Sequence, residues 1–170
     1  KRFLKDKTKR KEVQDELDLV SGLDHPGVIK LLRVVEDQNK LYIVMDNWGK
    51  YNLDTYIQEG LLSSEDFKKV FLQVIDAVSY LHAHNVFHRD IKLSNIMIKN
   101  GRTCLLDFGL ATCSNYVTEF LYCGTPTYMP PEMLTKKGYE GAQVDIWCIG
   151  VTLFKAITGK YPFGGKILIT

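Results

Sequence analysis

The sequence predicts an α+β fold of two unequal lobes, the first built from antiparallel strands with one helix and the second mostly helical. Two strand-like apolar runs separated by a polar turn lie before residue 46, and two long stretches with helical apolar spacing lie after it. No repeat or low-complexity tract interrupts this order. We therefore place residues 1–46 in the first lobe and residues 47–170 in the second.

The composition is that of an ordinary globular protein. Of 170 residues, 45% are hydrophobic and 25% charged, and a net charge of +2 is too small to indicate a nucleic-acid or membrane partner. The longest apolar run, residues 146–154, is far too short to span a bilayer. The four cysteines form no C-x-x-C pair and no signal peptide precedes them, so we expect free thiols in the cytoplasm or the nucleus.

The first lobe is predicted to contain one helix and one hairpin. An apolar stripe at i, i+4 and i+7 indicates a helix over residues 11–23, which a His-Pro-Gly sequence then ends. Residues 28–35 and 41–45 are rich in branched apolar side chains, which favour strands. The polar residues 36–39 between them predict an antiparallel hairpin.

The second lobe is predicted to contain two long helices and a second hairpin. Ser63, followed three residues later by Asp66, is a capping signal for a helix whose apolar stripe continues to Leu81. A second long helix, strongly apolar, is predicted over residues 142–158. Between these helices, Asn100-Gly101 separates two short apolar runs, and Asn-Gly is the strongest short hairpin signal.

Three short motifs occur in a fixed order: His88-Arg89-Asp90, Asp107-Phe108-Gly109 and Pro130-Pro131-Glu132. A single three-letter match carries little weight, but three in order, the first two joined by the Asn-Gly hairpin, are not a coincidence. On these residues the chain resembles the protein kinase family. The resemblance implies the two-lobed protein kinase fold, with both lobes partial, and transfer of phosphate from ATP to protein hydroxyls with Mg²⁺ as cofactor.

Phosphoryl transfer requires a positioned hydroxyl, magnesium ions and cations on the phosphates. Asp107 and Asn95 lie at the two ends of the predicted hairpin, so its closure brings together two hard oxygen ligands for Mg²⁺. Asp90 lies on the same loop as Asn95 and can orient the substrate hydroxyl and take its proton. The resemblance makes Asp90 the catalytic aspartate, Lys92 the residue that contacts the transferred phosphate, and Asn95 and Asp107 the metal ligands.

The resemblance also assigns a lysine–glutamate pair on the nucleotide side. Glu16 lies on the first predicted helix, where the family has a glutamate that pairs with a strand lysine. Lys1, fifteen residues earlier, matches that lysine. Alternatively, Lys1 is one member of the basic run over residues 1–11, which is then a solvated face or the approach to the helix.

The residues after the second predicted strand resemble the hinge that holds adenine through its backbone. Asp46 and Trp48 lie in this segment. Met45, just before it, matches the gatekeeper, and Met97 matches a position on the floor of the adenine pocket.

The segment Gly124-Thr125-Pro126-x-Tyr128, together with Lys92, resembles serine/threonine kinases rather than tyrosine kinases. In such kinases the threonine contacts the lysine and the catalytic aspartate, so Thr125 is expected to contact Lys92 and Asp90. Among the serine/threonine kinases, the sequence resembles the calmodulin-dependent and polo-like groups, and the motifs do not distinguish between the two. Asp145, near the start of the last helix, matches a family aspartate that braces the backbone of the catalytic loop, and the resemblance implies the same role here.

The main alternative is a pseudokinase or scaffold that binds partners without transferring phosphate, since no glycine-rich phosphate loop precedes Lys1. A small-molecule kinase is a third possibility, although such relatives typically lack the Gly-Thr-Pro-x-Tyr segment that this chain has. The large-lobe helices expected after Phe163 are also not found, so we expect the 170-residue chain by itself to be inactive. The physiological protein substrate and the oligomeric state stay open.

Regulation is also predicted from the resemblance. Arg89 matches the residue that binds a phosphorylated threonine of the activation loop in relatives. The matching position in this chain, eleven residues before Glu132, is Leu121, which cannot be phosphorylated. Thr118 and Tyr122 lie nearby in poor register. We therefore expect activity without a phosphate on this segment.

Substrate preference gives the first testable prediction. At three positions where arginine-directed relatives place acidic residues, this chain has Asn52, Ser94 and Lys155, and none of them is acidic. We predict a weak or absent preference for upstream arginine in the substrate, with tolerance of acidic sequences. A positional peptide array with the full-length protein measures this preference, and a profile dominated by upstream arginine would contradict it.

Overall fold

The computed structural model describes residues 2–4, 7–38, 40–117, 123–134 and 138–163. In chain order the elements are β1 (Arg2–Leu4), α1 (Lys7–Ser21), β2 (Leu31–Glu36), β3 (Lys40–Met45), α2 (Leu53–Gln58), α3 (Ser64–Ala83), β4 (Ile96–Lys99), β5 (Arg102–Leu105), β6 (Tyr116–Val117), β7 (Tyr139–Glu140) and α4 (Gly141–Thr158). Short 3₁₀ turns cover Leu93–Asn95, Pro126–Tyr128 and Pro131–Leu134. The chain therefore runs from strands with one helix to a mostly helical part.

The first lobe is a three-stranded antiparallel sheet in the order β1-β3-β2, with α1 between β1 and β2 in sequence. The β2–β3 pair is the predicted hairpin. Leu41 and Ile43 of the central strand β3 are buried, as are Val13 and Val20 of α1. The apolar stripe of the helix therefore faces the protein interior.

Two elements of this lobe, α1 and β2, begin at least three residues away from the start expected from the sequence. Helix α1 begins at Lys7 rather than at residue 11, because the basic residues that precede the apolar stripe are themselves good helix formers. Strand β2 begins at Leu31 rather than at residue 28, because Val28 forms a bridge with Leu105 instead. The backbone N–H of Ile29 donates to the Leu105 carbonyl at 3.1 Å, which attaches this segment to the second lobe.

The second lobe is organised around α3 and α4. The Ser63 hydroxyl accepts the backbone N–H of Asp66 at 3.1 Å, which confirms the predicted start of α3. Val70, Val74, Val78 and Leu81 lie on the buried face of α3, at the predicted helical spacing. Helix α4 ends at Gly159, which adopts φ 70°, a left-handed conformation that glycine accepts without strain.

The β4–β5 hairpin matches the Asn-Gly prediction. Asn100 and Gly101 have φ values of 51° and 72°, as a two-residue type I′ turn requires. The register pairs Ile96 with Leu105. Leu105 also accepts the N–H of Ile29, so β5 pairs with β4 on one side and touches the first lobe on the other.

The turn-rich stretch from residue 107 onward contains the short pair β6–β7, in which Val117 lies opposite Tyr139.

All four cysteines are free, as expected, and burial raises the pKa of the Cys104 thiol to about 12. Among the helices described, none is long and apolar enough to cross a membrane.

Two leucines on α3 test this packing. Leu81 is fully buried, whereas Leu72 is 53% exposed. We expect Leu81→Ala to lower the free energy of unfolding by about 2–5 kcal/mol, because it leaves a cavity in the core. The control Leu72→Ala is expected to change it by less than about 0.5 kcal/mol. Urea denaturation of the full-length protein measures both, and equal effects would place α3 in a different orientation.

Candidate active site

The buried carboxylate of Asp145 fixes the loop that follows α3. Its two oxygens accept the backbone N–H groups of His88 at 2.9 Å and Arg89 at 2.7 Å, and Oδ2 also accepts Nε2–H of His82 at 2.9 Å. Arg89 adopts φ 63°, a left-handed conformation that costs energy for a residue with a side chain. The two backbone hydrogen bonds hold this conformation, as the expected bracing role of Asp145 requires.

His88 is a packing residue rather than a base. Its Nδ1 accepts the backbone N–H of Asp90 at 3.2 Å, so Nε2 carries the proton and donates to the Leu106 carbonyl at 2.9 Å. The ring lies edge-on to the buried ring of Phe108, with centroids 4.9 Å apart. His88 thereby joins the first motif to the second, and both of its ring nitrogens are occupied.

The carboxylate of Asp90 is held by three side chains. Oδ1 accepts the Thr125 hydroxyl at 2.8 Å, while Oδ2 accepts Nζ of Lys92 at 2.6 Å and Nδ2 of Asn95 at 2.9 Å. Lys92 Nζ also donates to the Thr125 hydroxyl oxygen at 2.7 Å. The structure therefore brings together four of the residues predicted from the sequence, and the expected contacts of Thr125 with Lys92 and Asp90 are present.

Gly124 allows the segment containing Thr125 to approach this loop. A Cβ atom at position 124 would lie 3.0 Å from the backbone oxygen of Arg89, and the residue adopts φ 102°. A side chain at Gly124 would be strained on both counts. The glycine therefore permits the contact between the Thr125 hydroxyl and Asp90.

Asn95 and Asp107 fit a magnesium site. The Leu106 N–H donates to the Asn95 carbonyl at 2.8 Å, so the end of the hairpin places Asp107 beside Asn95. Nδ2 of Asn95 donates to the backbone oxygen and to Oδ2 of Asp90, both at 2.9 Å, which leaves Oδ1 as the atom that can bind a cation. Asp107 is exposed and has φ 64°. One amide oxygen and one carboxylate suit Mg²⁺, which keeps several water ligands.

The hinge predicted at Asp46 to Trp48 follows the end of β3. The Asp46 N–H donates to the Lys30 carbonyl at 3.1 Å, which attaches the segment to the first lobe. Within the part of the chain that the structure describes, neither the Asp46 carbonyl nor the Trp48 amide has a hydrogen-bond partner, so both can bind a purine edge. Met45 ends β3, and Met97 lies opposite Cys104 on the β4–β5 hairpin.

The lysine–glutamate pair is described only in part. Glu16 is buried on α1, as a residue paired inside the site requires. Lys1 lies outside the described residues, directly before β1, whose Arg2 lies opposite Tyr42. The assignment of Lys1 to the strand-lysine role therefore stays a prediction.

The sequence analysis missed the partner of Lys155. Lys155 Nζ lies 3.1 Å from the Asp54 carboxylate. Burial lowers the pKa of Lys155, but the hydrogen bond with Asp54 and the neighbouring Tyr128 raise it above its ordinary value. Asp54 therefore balances the charge of Lys155. No local pattern links α2 with α4, and the sequence held no signal for this pair.

Comparison with known proteins agrees with this geometry. The sequence profile of the protein kinase domain matches residues 1–168, nearly the whole chain. The chain belongs to the protein kinase family. The two-lobed α+β kinase fold predicted from the three motifs is thereby confirmed.

Several curated kinases resemble this kinase chain. It is 37% identical over 156 residues to CBL-interacting serine/threonine-protein kinase 19 of Arabidopsis thaliana, covering 89% of this chain and 32% of the relative. It is 37% identical over 160 residues to the probable serine/threonine-protein kinase MARK-A of Dictyostelium discoideum, covering 91% of this chain and 15% of the relative. Sperm motility kinase 2B of Mus musculus is 36% identical over 154 residues, covering 89% and 32%. The chain thus spans a third or less of the length of these relatives.

The Thr125 hydroxyl gives a sharp test of this kinase site. Thr125→Val keeps the side-chain shape but removes the hydroxyl that joins Asp90 and Lys92. We expect kcat for phosphate transfer by the full-length protein to fall at least about tenfold, because a hydrogen bond to a charged group is lost. The control Thr125→Ser keeps the hydroxyl and should stay within about threefold of wild type. A wild-type kcat in Thr125→Val would show that phosphate transfer does not need the hydrogen bonds of the Thr125 hydroxyl to Asp90 and Lys92.

Proposed function

We propose that the protein is an ATP-dependent serine/threonine protein kinase, which transfers the γ-phosphate of Mg·ATP to protein hydroxyls. The observation that carries the proposal is the Asp90 carboxylate, which Lys92, Asn95 and Thr125 hold beside the Asn95–Asp107 corner. Membership of the protein kinase family supports the reaction class.

Asp90 is placed to orient the substrate hydroxyl. Phosphoryl transfer relies on positioning and charge rather than on covalent work by the protein. With three donors on its two oxygens, the Asp90 carboxylate is held in one orientation, and it can accept the proton of an incoming hydroxyl. Lys92 Nζ carries a positive charge between Asp90 and Thr125, where it can stabilise negative charge on the phosphate being transferred.

Asn95 Oδ1 and the Asp107 carboxylate would hold the magnesium ion. Bound there, Mg²⁺ would neutralise the charge of the nucleotide phosphates. The Asp46 carbonyl and the Trp48 amide would bind the adenine edge, with Met45 and Met97 lining its pocket. Glu16, paired with Lys1, would complete the contacts to the phosphates.

The choice of serine and threonine rests on the Thr125–Lys92 link and on the names of the relatives, which are serine/threonine kinases. The 3₁₀ turn over Pro126–Tyr128 follows Thr125 directly and can support an extended substrate segment beside Asp90.

We further propose that the protein acts in the cytoplasm or the nucleus. The pseudokinase alternative receives no support, because Asp90, Lys92, Asn95 and Asp107 are all present.

The decisive experiment measures transfer of labelled phosphate from Mg·ATP to a mixed serine/threonine protein substrate by the full-length protein. We expect Asp107→Asn to lower the rate at least about a hundredfold, because a carboxylate ligand of the metal is lost. The matched control is Asp76→Asn, which alters an exposed carboxylate paired with His25 on the outer side of α3.

Two outcomes separate the alternatives. Transfer by wild type and by the control, together with its loss in Asp107→Asn, supports the kinase and its metal ligand. Equal background signal from all three proteins contradicts the proposed activity and favours the scaffold.

A further inference from the structure

A chain of hydrogen bonds extends from Arg89 to the segment containing Thr125. Arg89 Nε donates to the Leu110 carbonyl at 2.7 Å, and Nη1 donates to the Tyr139 hydroxyl oxygen at 2.9 Å. The same hydroxyl lies 3.7 Å from the sulfur of Cys123. We call Arg89, Tyr139 and Cys123 the arginine clasp. It joins the catalytic loop to the start of β7 and to the residues just before Thr125.

The Tyr139 hydroxyl is the middle group of the arginine clasp. A guanidinium can only donate, so the Tyr139 oxygen accepts from Arg89, and the hydroxyl also shares a hydrogen bond with the Cys123 sulfur in which either group can donate. Burial raises the pKa of Tyr139, which keeps the hydroxyl protonated near neutral pH. A buried tyrosine hydroxyl requires such partners, and Tyr139 is 5% exposed.

The backbone around Tyr139 holds its ring in place. Tyr139 lies opposite Val117 in the β6–β7 pair. Gly138, just before it, has φ 81°, and a Cβ atom there would lie 2.7 Å from the Val117 oxygen. The close approach of these two segments therefore requires glycine at position 138. The strand pairing and the close approach at Gly138 fix the backbone of Tyr139, and this places its hydroxyl beside Arg89.

We propose that Tyr139 is a positioning residue for phosphate transfer, whose neutral hydroxyl fixes Arg89 and the Cys123–Thr125 segment without a phosphate on that segment. The proposal rests on the proposed kinase function. Arg89 directly precedes Asp90, and Gly124 packs against the Arg89 backbone oxygen. Thr125, the next residue, donates to Asp90 at 2.8 Å. Loosening the arginine clasp therefore disturbs both sides of the Thr125–Asp90 contact.

The clasp explains how the site can be ordered when residue 121, which lies outside the described residues, is a leucine. Two of the guanidinium's donors bind a carbonyl and a hydroxyl, both neutral groups. These two hydrogen bonds orient the guanidinium through neutral acceptors, without a phosphate on residue 121.

The main experiment compares Tyr139→Phe with wild type in the full-length protein, with Tyr80→Phe as matched control. Tyr80 bonds the Asp24 N–H through its hydroxyl, away from the clasp. We expect Tyr139→Phe to lower kcat about tenfold and to leave the KM for Mg·ATP within about twofold of wild type. In an Arg89→Gln background the same change should have no further effect, because the partner is already gone. A purely structural role would lower activity equally in both backgrounds and would overturn the proposal.

Phosphatase treatment of the wild-type protein is a second test. Unchanged kcat after removal of all phosphate supports the clasp as a substitute for phosphorylation. Loss of activity, with the removed phosphate mapped to Thr118, would overturn it.

Hydrogen exchange separates this proposal from the proposed activity. Faster exchange across residues 123–128 in Tyr139→Phe, but not in Tyr80→Phe, supports the clasp, and equal exchange in both variants overturns it. Absence of phosphate transfer by the wild type would refute the kinase function itself. In that case the exchange result alone decides whether Tyr139 positions the Thr125 segment.

Discussion

The Asp145 carboxylate is the group on which the rest of the site depends. It is fully buried in α4, and its oxygens accept two consecutive backbone N–H groups of the catalytic loop. A buried carboxylate is stable only when its oxygens are matched by donors, and those N–H groups would otherwise be unpaired as well. The pairing fixes the left-handed conformation of Arg89 and, with it, the directions in which the side chains of residues 88–90 extend.

The same carboxylate links the site to the core. His82, on the last turn of α3, donates to Asp145, so one residue of α4 holds both the neighbouring helix and the loop that follows it. The Asp90 network is then assembled from two separate places: its own loop, which carries Lys92 and Asn95, and the Thr125 segment. Because each side chain of this network forms a hydrogen bond with another member, the geometry of the network is determined by the whole fold rather than by any one element.

Part of this structure was predictable from the sequence. The Asn100-Gly101 turn and the Ser63 cap follow from residue types at short spacing, and the residues around Asp90 were assigned through motifs that resemble those of the protein kinase family. The bridge between Val28 and Leu105, the pair of Lys155 with Asp54 and the contact of Arg89 with Tyr139 do not. Each joins residues dozens of positions apart whose side chains have no local pattern in common, so only the assembled chain reveals them. The start of β2 was misplaced for the same reason.

The two-sided pairing of β5 has a mechanical consequence. On one side, the backbone of Leu105 forms hydrogen bonds with Gly27 and Ile29 of the first lobe, and on the other side Leu105 pairs with Ile96. Leu105 lies two residues before Asp107. A displacement of residues 27–29 would therefore shift the backbone that leads to Asp107, the carboxylate proposed to bind the metal. If Asp107 binds the cation as proposed, the position of the first lobe and the coordination of the cation are coupled through β5.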